Sequence, residues 1–302
     1  MNHPCDPRPF RSIASFEAGS VASLVGQVVG GLVVERVVAE GGVGVVYAAR
    51  ARHGGAARAL KVLKPALAGD VGHRARFAQE IAHARCVNHP NVVSVIDHGR
   101  LADGRPWLTM DLLEGATLGA LVRRQGPLSL ARALAITDEV LAGLAALHAV
   151  GVVHQDLQPD NVFLARAPGS IEGSPARAVL LDLGFAREAG SGARASLFGT
   201  PSFMSPEQAL AGRAVTAQSD LFAAALLLSY ALTGKPPFPG LAVRDVLVAI
   251  VRSAPVPVRR ARRDVPMELD RILARALAKH PDARFSGAAE MRSALGRLAC
   301  VA

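Results

Sequence analysis

The chain has 302 residues, half of them hydrophobic, with a formal net charge of +9 and 4% aromatics. That length holds one large domain or two modest ones with a sizeable core. So few aromatics cannot interleave a basic face as nucleic-acid stacking requires, which sets nucleic-acid binding aside despite the charge. Cys5, Cys86 and Cys300 show neither metal-ligand spacing nor an even disulfide framework, and a reducing compartment fits them. The longest strongly apolar stretch, Leu221 to Leu232, is well short of the ~20 residues a membrane-spanning helix needs. The first residues lack an apolar leader core. A soluble, cytoplasmic protein with no membrane and no nucleic-acid partner is expected. The run Arg259, Arg260, Arg262 and Arg263 reads as a solvated loop, with a docking patch as the alternative.

In chain order, residues 1–23 mix Pro, Ser and charge without a period, which predicts a flexible N-terminal extension. From Leu24 the pattern changes. Val28 and Val29, Leu32 to Val34, Val37 and Val38, Val45 to Tyr47 and Ala57 to Leu63 are short β-branched runs punctuated by glycine and charge, as in an antiparallel sheet. His73 to Val87 has helical spacing, with Phe77, Ile81 and Ala84 on one face. Strand character returns at Val92 to Asp97 and Trp107 to Leu113, with the Asp103-Gly104 turn between. After Gly115 the chain is mostly helical. Leu130 to Ala149 predicts a long helix capped by Ser129. Val162 to Leu164 and Val179 to Leu181 predict a short strand pair. Leu221 to Leu232, Leu269 to Leu277 and Ala288 to Leu298 predict further helices. A β-rich part over about 24–113 followed by a helical part over about 114–302 is an α+β architecture.

Three segments carry chemistry. Ala39-Glu40-Gly41-Gly42-Val43-Gly44 is a glycine-rich turn between strands; glycine lets a backbone present N–H groups close to a phosphate, although glycine pairs in hairpins are commonly plain turns. Lys61, one of four lysines, lies in an apolar strand and needs a partner or a function. Glu80 on the following helix could be that partner. His154-Gln155-Asp156-Leu157-Gln158-Pro159-Asp160-Asn161, then Asp182-Leu183-Gly184 after an apolar strand, supply hard oxygens suited to magnesium beside phosphate. They also supply a carboxylate able to accept a hydroxyl proton.

With His89-Pro90-Asn91, Gly199-Thr200-Pro201, Ser205-Pro206-Glu207, Ser219-Asp220 and Pro281-Asp282-Ala283-Arg284-Phe285 in the same order, the chain resembles the bacterial Hanks-type (eukaryotic-like) serine/threonine protein kinases over about residues 24–298. The resemblance implies a bilobal kinase fold, ATP with Mg²⁺ or Mn²⁺ as cofactors, and transfer of the γ-phosphate to Ser/Thr hydroxyls of protein substrates. It implies that Lys61 holds the α- and β-phosphates and pairs with Glu80. Asn161 and Asp182 bind the metal, and Asp156 orients the acceptor hydroxyl and takes its proton. Ala39, Glu40, Gly41, Gly42, Val43 and Gly44 cover the phosphates. Val46 and Ala59 lie above adenine and Phe163 below it. Met110 is the gatekeeper, and Asp111 to Leu113 form the hinge. Glu207 with Arg284, and Asp220, are structural. His154 and His89 read as packed scaffold residues.

The chain departs from the family pattern in four places. Ala39 stands where the first loop glycine is usual, and Leu183 where Phe is usual. Gln155 replaces the arginine that grips an activation-segment phosphate, so switching through Ser191, Ser196 or Thr200 is expected to be weak. Gln158 replaces a lysine that stabilises the transferring phosphoryl group, so reduced activity is expected. The alternative is a pseudokinase that holds ATP or a partner as a scaffold. Regulatory input would come from a protein partner or from residues 1–23.

Overall fold

A computed structural model of the chain describes residues 24–167, 169–170, 176–183, 187–188, 201–210, 213–238 and 242–299. The expected extension, 1–23, lies outside them. The chain divides into two compact units. One comprises the residues up to Cys86 together with Val93–Leu113; the other comprises Val87–Val92 with Glu114 onward.

The first unit is built on strands β1 (Val28–Val29), β2 (Leu32–Glu40), β3 (Gly44–Ala51), β4 (Arg58–Leu63), β5 (Val95–Arg100) and β6 (Pro106–Asp111), with helix α1 (Val71–Cys86). They form one antiparallel sheet in the order β1-β2-β3-β4-β6-β5. The runs expected at Leu32 to Val34 and at Val37 and Val38 are a single strand. Register shifts between Val34 and Arg36 and between Val37 and Ala39 absorb the exposed Glu35 and Arg36, as bulges do. Helix α1 starts two residues before the expected His73, because Asp70 Oδ1 accepts a hydrogen bond from His73 N at 3.0 Å and so caps the first turn. Strand β5 starts at Val95 rather than Val92; Val92 instead bridges Leu180 within the second unit.

Alternation along the strands sorts the sheet into two faces. Val45, Tyr47, Leu60, Val62 and Trp107 join Leu24, Val29, Val34 and Ala49 in one core. Leu63 and Leu108 pack with Phe77 of α1 on the other.

The second unit contains β7 (Glu114–Thr117), α2 (Leu118–Gln125), α3 (Leu130–Ala149), β8 (Val152–Val153), β9 (Val162–Arg166), β10 (Ala176–Leu180), β11 (Arg187–Glu188), α4 (Pro206–Ala209), α5 (Ala217–Thr233), α6 (Val243–Arg252), α7 (Met267–Ala276) and α8 (Ala288–Ala299). The expected cap of α3 is present, with Ser129 accepting from Arg132 N. The pair β9 and β10 gains β7 as a third strand. Gly115 makes this possible: its φ is +148°, and a Cβ there would stand 2.0 Å from the Leu164 carbonyl oxygen. Helix α5 is buried on nearly every side, the mark of a central element. Helices α2 and α6 were not expected from the sequence. The β-branched run of α6 conceals its helical period, which shows only in buried Val246 and Ile250, four residues apart.

Half of the arginine run is structural. Arg262 donates to the carbonyls of Leu128 and Leu232 and pairs with Asp264, and Arg259 donates to Val265 O. Among the described residues no helix is long and apolar enough to cross a membrane.

Candidate functional site

In the first unit, register brings the expected nucleotide residues onto one face. Val46 lies opposite Lys61, Lys61 opposite Leu108, and Ala59 opposite Met110. Directly opposed residues share a face, as do residues two apart on a strand, so Val46, Ala59, Lys61 and Met110 lie together on the face that α1 packs against. There Lys61 Nζ donates to Glu80 Oε1 at 2.6 Å, with both side chains largely buried at 14% and 10% exposure. Of the loop glycines, Gly44 has a packing reason: a Cβ would stand 2.9 Å from Val62 O. Positions 41 and 42 have room for one. Glu40 pairs with Lys64 at 2.6 Å, which ties the strand before the loop to the end of β4. Asp111, expected in the hinge, ion-pairs with Arg58 across the strand pair, and Leu113 is half-buried.

In the second unit, the segment from His154 to Asn161 is held from several sides. Asp220 Oδ2 accepts from His154 N at 2.8 Å and Oδ1 from Gln155 N at 2.9 Å. His148 Nε2 donates to Asp220 Oδ2 at 2.8 Å. The Gln155 carbonyl accepts from Gln208 Nε2 at 2.6 Å. His154 is fully buried; its Nδ1 accepts from Asp156 N and its Nε2 donates to Leu181 O at 3.1 Å. Burial holds its imidazole below the usual range, against the pull of Asp220 and Asp182. A neutral ring with one donor and one acceptor is what these two bonds require.

These bonds place Asp156 in a ring of amides. Asn161 Nδ2 donates to Asp156 O at 2.8 Å and to Asp156 Oδ2 at 2.9 Å. Gln158 Nε2 donates to Asp156 Oδ2 at 3.2 Å and Oδ1 at 3.4 Å. Burial, then the Asp182 charge, push the Asp156 carboxyl up to about 7, opposed by the Asn161 and Gln158 bonds. Gln155 and Asp182 sit at φ 65° and 58°, the non-glycine residues in left-handed backbone among those described. Such strain gathers at functional positions. Phe163 is half-buried in β9, opposite Thr117 and Val179. Gly184, Ser191, Ser196 and Thr200 lie outside the described residues.

The donor set suits a divalent cation. Asn161 spends its amide N–H groups on Asp156, which leaves Oδ1 as the atom able to meet a metal. Asp182 adds a carboxylate close enough to raise Asp156. Two hard oxygens, with phosphate and water supplying the rest, match how Mg²⁺ is bound.

Glu207 and Arg284 form a buried bidentate pair, Nη1 to Oε1 at 2.7 Å and Nη2 to Oε2 at 2.8 Å, with Ser219 Oγ donating to Oε1 at 2.6 Å. Sequence reasoning missed His148 and Gln208 as supports of the loop. It also missed Glu139, which accepts from Ala178 N at 2.5 Å, and the Asp160 cluster described below. None has a local signal, since each partner is 37 or more residues away along the chain.

A family model described as "Protein kinase domain" matches residues 32–295. The chain therefore belongs to the protein kinase domain family. It is 36% identical over 248 residues to the serine/threonine-protein kinase PknB of Mycolicibacterium smegmatis, an alignment that covers 80% of this chain and 38% of that protein. It is 33% identical over 260 residues to PknD of Mycobacterium tuberculosis, covering 85% and 38%. The chain thus spans little more than a third of the length of these relatives. Among solved structures, the PknI kinase domain of Mycobacterium tuberculosis matches with a TM-score of 0.71 at 28% identity, covering 92% of this chain and all of that one. The fold is the protein-kinase fold, and the bacterial Hanks-type resemblance read from the motifs holds.

Proposed function

We propose that the chain is an ATP-dependent protein serine/threonine kinase. The observation that carries this reading is the Asp156 carboxylate, fixed by the Asn161 and Gln158 amides on a loop that is itself held by Asp220 and Gln208, as a positioned general base must be. In this reading Asp156 orients a Ser or Thr hydroxyl of a protein substrate and accepts its proton as the oxygen attacks. Asn161 and Asp182 hold Mg²⁺ or Mn²⁺, which when bound neutralises phosphate charge. Lys61, positioned by Glu80, holds the α- and β-phosphates of ATP. By the resemblance, residues 39–44 cover the phosphates, Val46, Ala59, Met110 and the backbone of 111–113 are the adenine contacts of the first unit, and Phe163 is that of the second. Positioning and charge neutralisation make up most of phosphoryl-transfer catalysis.

A second reading rests on Gln158. It donates to both carboxylate oxygens of Asp156 and brings no cation to a transferring phosphoryl group, which favours a slow enzyme or a nucleotide-holding scaffold. The test is phosphate transfer from γ-labelled ATP with Mg²⁺ or Mn²⁺, to the chain itself and to a generic basic protein, beside Asp156→Ala. Transfer abolished in the variant supports the kinase. ATP binding without transfer supports the scaffold.

A further inference from the structure

Asp160 lies four residues beyond Asp156, and its carboxylate is already occupied. Arg123 Nη2 donates to Asp160 Oδ1 at 2.9 Å and Nη1 to Oδ2 at 3.2 Å. Thr117 Oγ1 donates to Oδ1 at 3.0 Å. The cluster is built into the backbone of α2: a Cβ at Gly119 would stand 2.4 Å from Asp160 Oδ1 and 2.9 Å from Arg123 Nη1. Arg123 comes from the last turn of α2 and reaches back toward its start, as helical side chains lean. The Tyr230 hydroxyl bonds to Arg123, and Phe203 packs edge-on against the Tyr230 ring at 5.8 Å.

A purely structural latch would need only part of this. Thr117 already caps α2 by accepting from Ala120 N and already bonds to Asp160. Arg123 adds charge cancellation at the surface, where its side chain is 43% exposed and that of Asp160 is 24% exposed. Four residues of chain span at most about 14 Å, and a substrate segment bound in extended form covers that distance in about four residues. Without Arg123, a carboxylate would face residues within about four positions of the acceptor hydroxyl and attract a basic one.

We infer that Arg123 is a specificity-determining residue: by neutralising Asp160 in cis it removes any preference for acceptor hydroxyls with basic neighbours, and its exposed guanidinium favours acidic ones. This rests on the kinase reading above.

The test uses two peptides that differ only in carrying three arginines or three glutamates within four residues of a single threonine. They are offered to the unaltered chain and to Arg123→Ala, Arg123→Gln and Arg123→Lys. In the unaltered chain the arginine peptide is expected to have no advantage in kcat/KM. In Arg123→Ala and Arg123→Gln the arginine-to-glutamate ratio should rise by roughly threefold, the range of an exposed charge pair. Arg123→Lys should stay near the original ratio, and adding Asp160→Asn to Arg123→Gln should cancel the gain. Arg123→Gln removes the charge but keeps the aliphatic stem and a polar end, so beside Arg123→Ala it separates charge from loss of packing. An unchanged ratio in a folded Arg123→Gln protein overturns the inference. If no protein phosphorylates either peptide, the kinase reading falls instead. Fluorescence anisotropy of the labelled arginine peptide then decides the matter: tighter binding to Arg123→Gln supports the role of Arg123, and equal binding refutes it.

Discussion

Gln158 turns its side-chain amide onto Asp156, with Nε2 3.2 Å from Oδ2. The contact orients the carboxylate but leaves it facing the Asp182 charge with no cation on that side chain. Gln158→Lys should pull the Asp156 carboxyl down from about 7 and supply charge to the phosphoryl group. Turnover is expected to rise by ten- to a hundredfold, in line with one strong electrostatic contact in such a site, and the acidic limb of the pH–rate profile should move to lower pH. Unchanged or lower turnover would sink this account.

The same raised carboxyl makes a stability prediction for the protein without metal. The folded value is about 7, against about 3.9 unfolded. The stabilising contribution is therefore fully present below about pH 4 and is lost as pH rises through 7. At pH 8 the ionised carboxylate costs the half-buried site roughly 1–3 kcal/mol. Asp156→Asn removes that cost, so it should melt higher than the unaltered chain at pH 8 and not at pH 4. Equal melting at pH 8 would refute the assignment.

The Lys61–Glu80 pair lies in the first unit, which also holds the single tryptophan, Trp107. Its fluorescence reports that unit. Glu80→Ala strips a largely buried ammonium of its carboxylate and should cost about 3 kcal/mol in urea titrations followed at Trp107. Lys61→Met combined with Glu80→Leu should cost less than Glu80→Ala alone, because no charge is left buried. ATP affinity should fall in both.

Arg284→Lys should behave almost as Arg284→Ala. The Glu207 pair is bidentate and fully buried, at 0% and 2% exposure, and a lysine cannot reproduce the fork. Breaking such a pair costs about 3–5 kcal/mol, readable as a lowered melting temperature. Near-complete rescue by lysine would show that charge alone matters there.

Gln155 is fixed through its backbone, its N–H to Asp220 and its carbonyl to Gln208. The loop thus has its geometry without a side chain that could grip a phosphate. Ser191→Ala with Ser196→Ala should transfer phosphate at the rate of the unaltered chain. A loss of tenfold or more would restore activation-segment phosphorylation as the switch.

How far the sequence reached can be seen at single residues. Lys61 stands out as a charge in an apolar strand and Asp182 as a carboxylate that follows one, while Asp156 and Asn161 are legible from their spacing within 154–161 and Glu80 as a charge on the helix after Lys61. Helix α3 was bounded correctly from Ser129 to Ala149 because its cap and its period are both local. Helix α6 was missed because its β-branched residues argue locally for a strand, while the burial of Val246 and Ile250 depends on the packed fold. Which partner each polar group meets was likewise decided only in three dimensions. His148 reaches Asp220 across 72 residues and Arg123 reaches Asp160 across 37. The chemistry of a side chain is a property of its own residue and can be read in one dimension. A hydrogen bond or a cancelled charge is a property of two residues, and only the folded chain sets the distance between them.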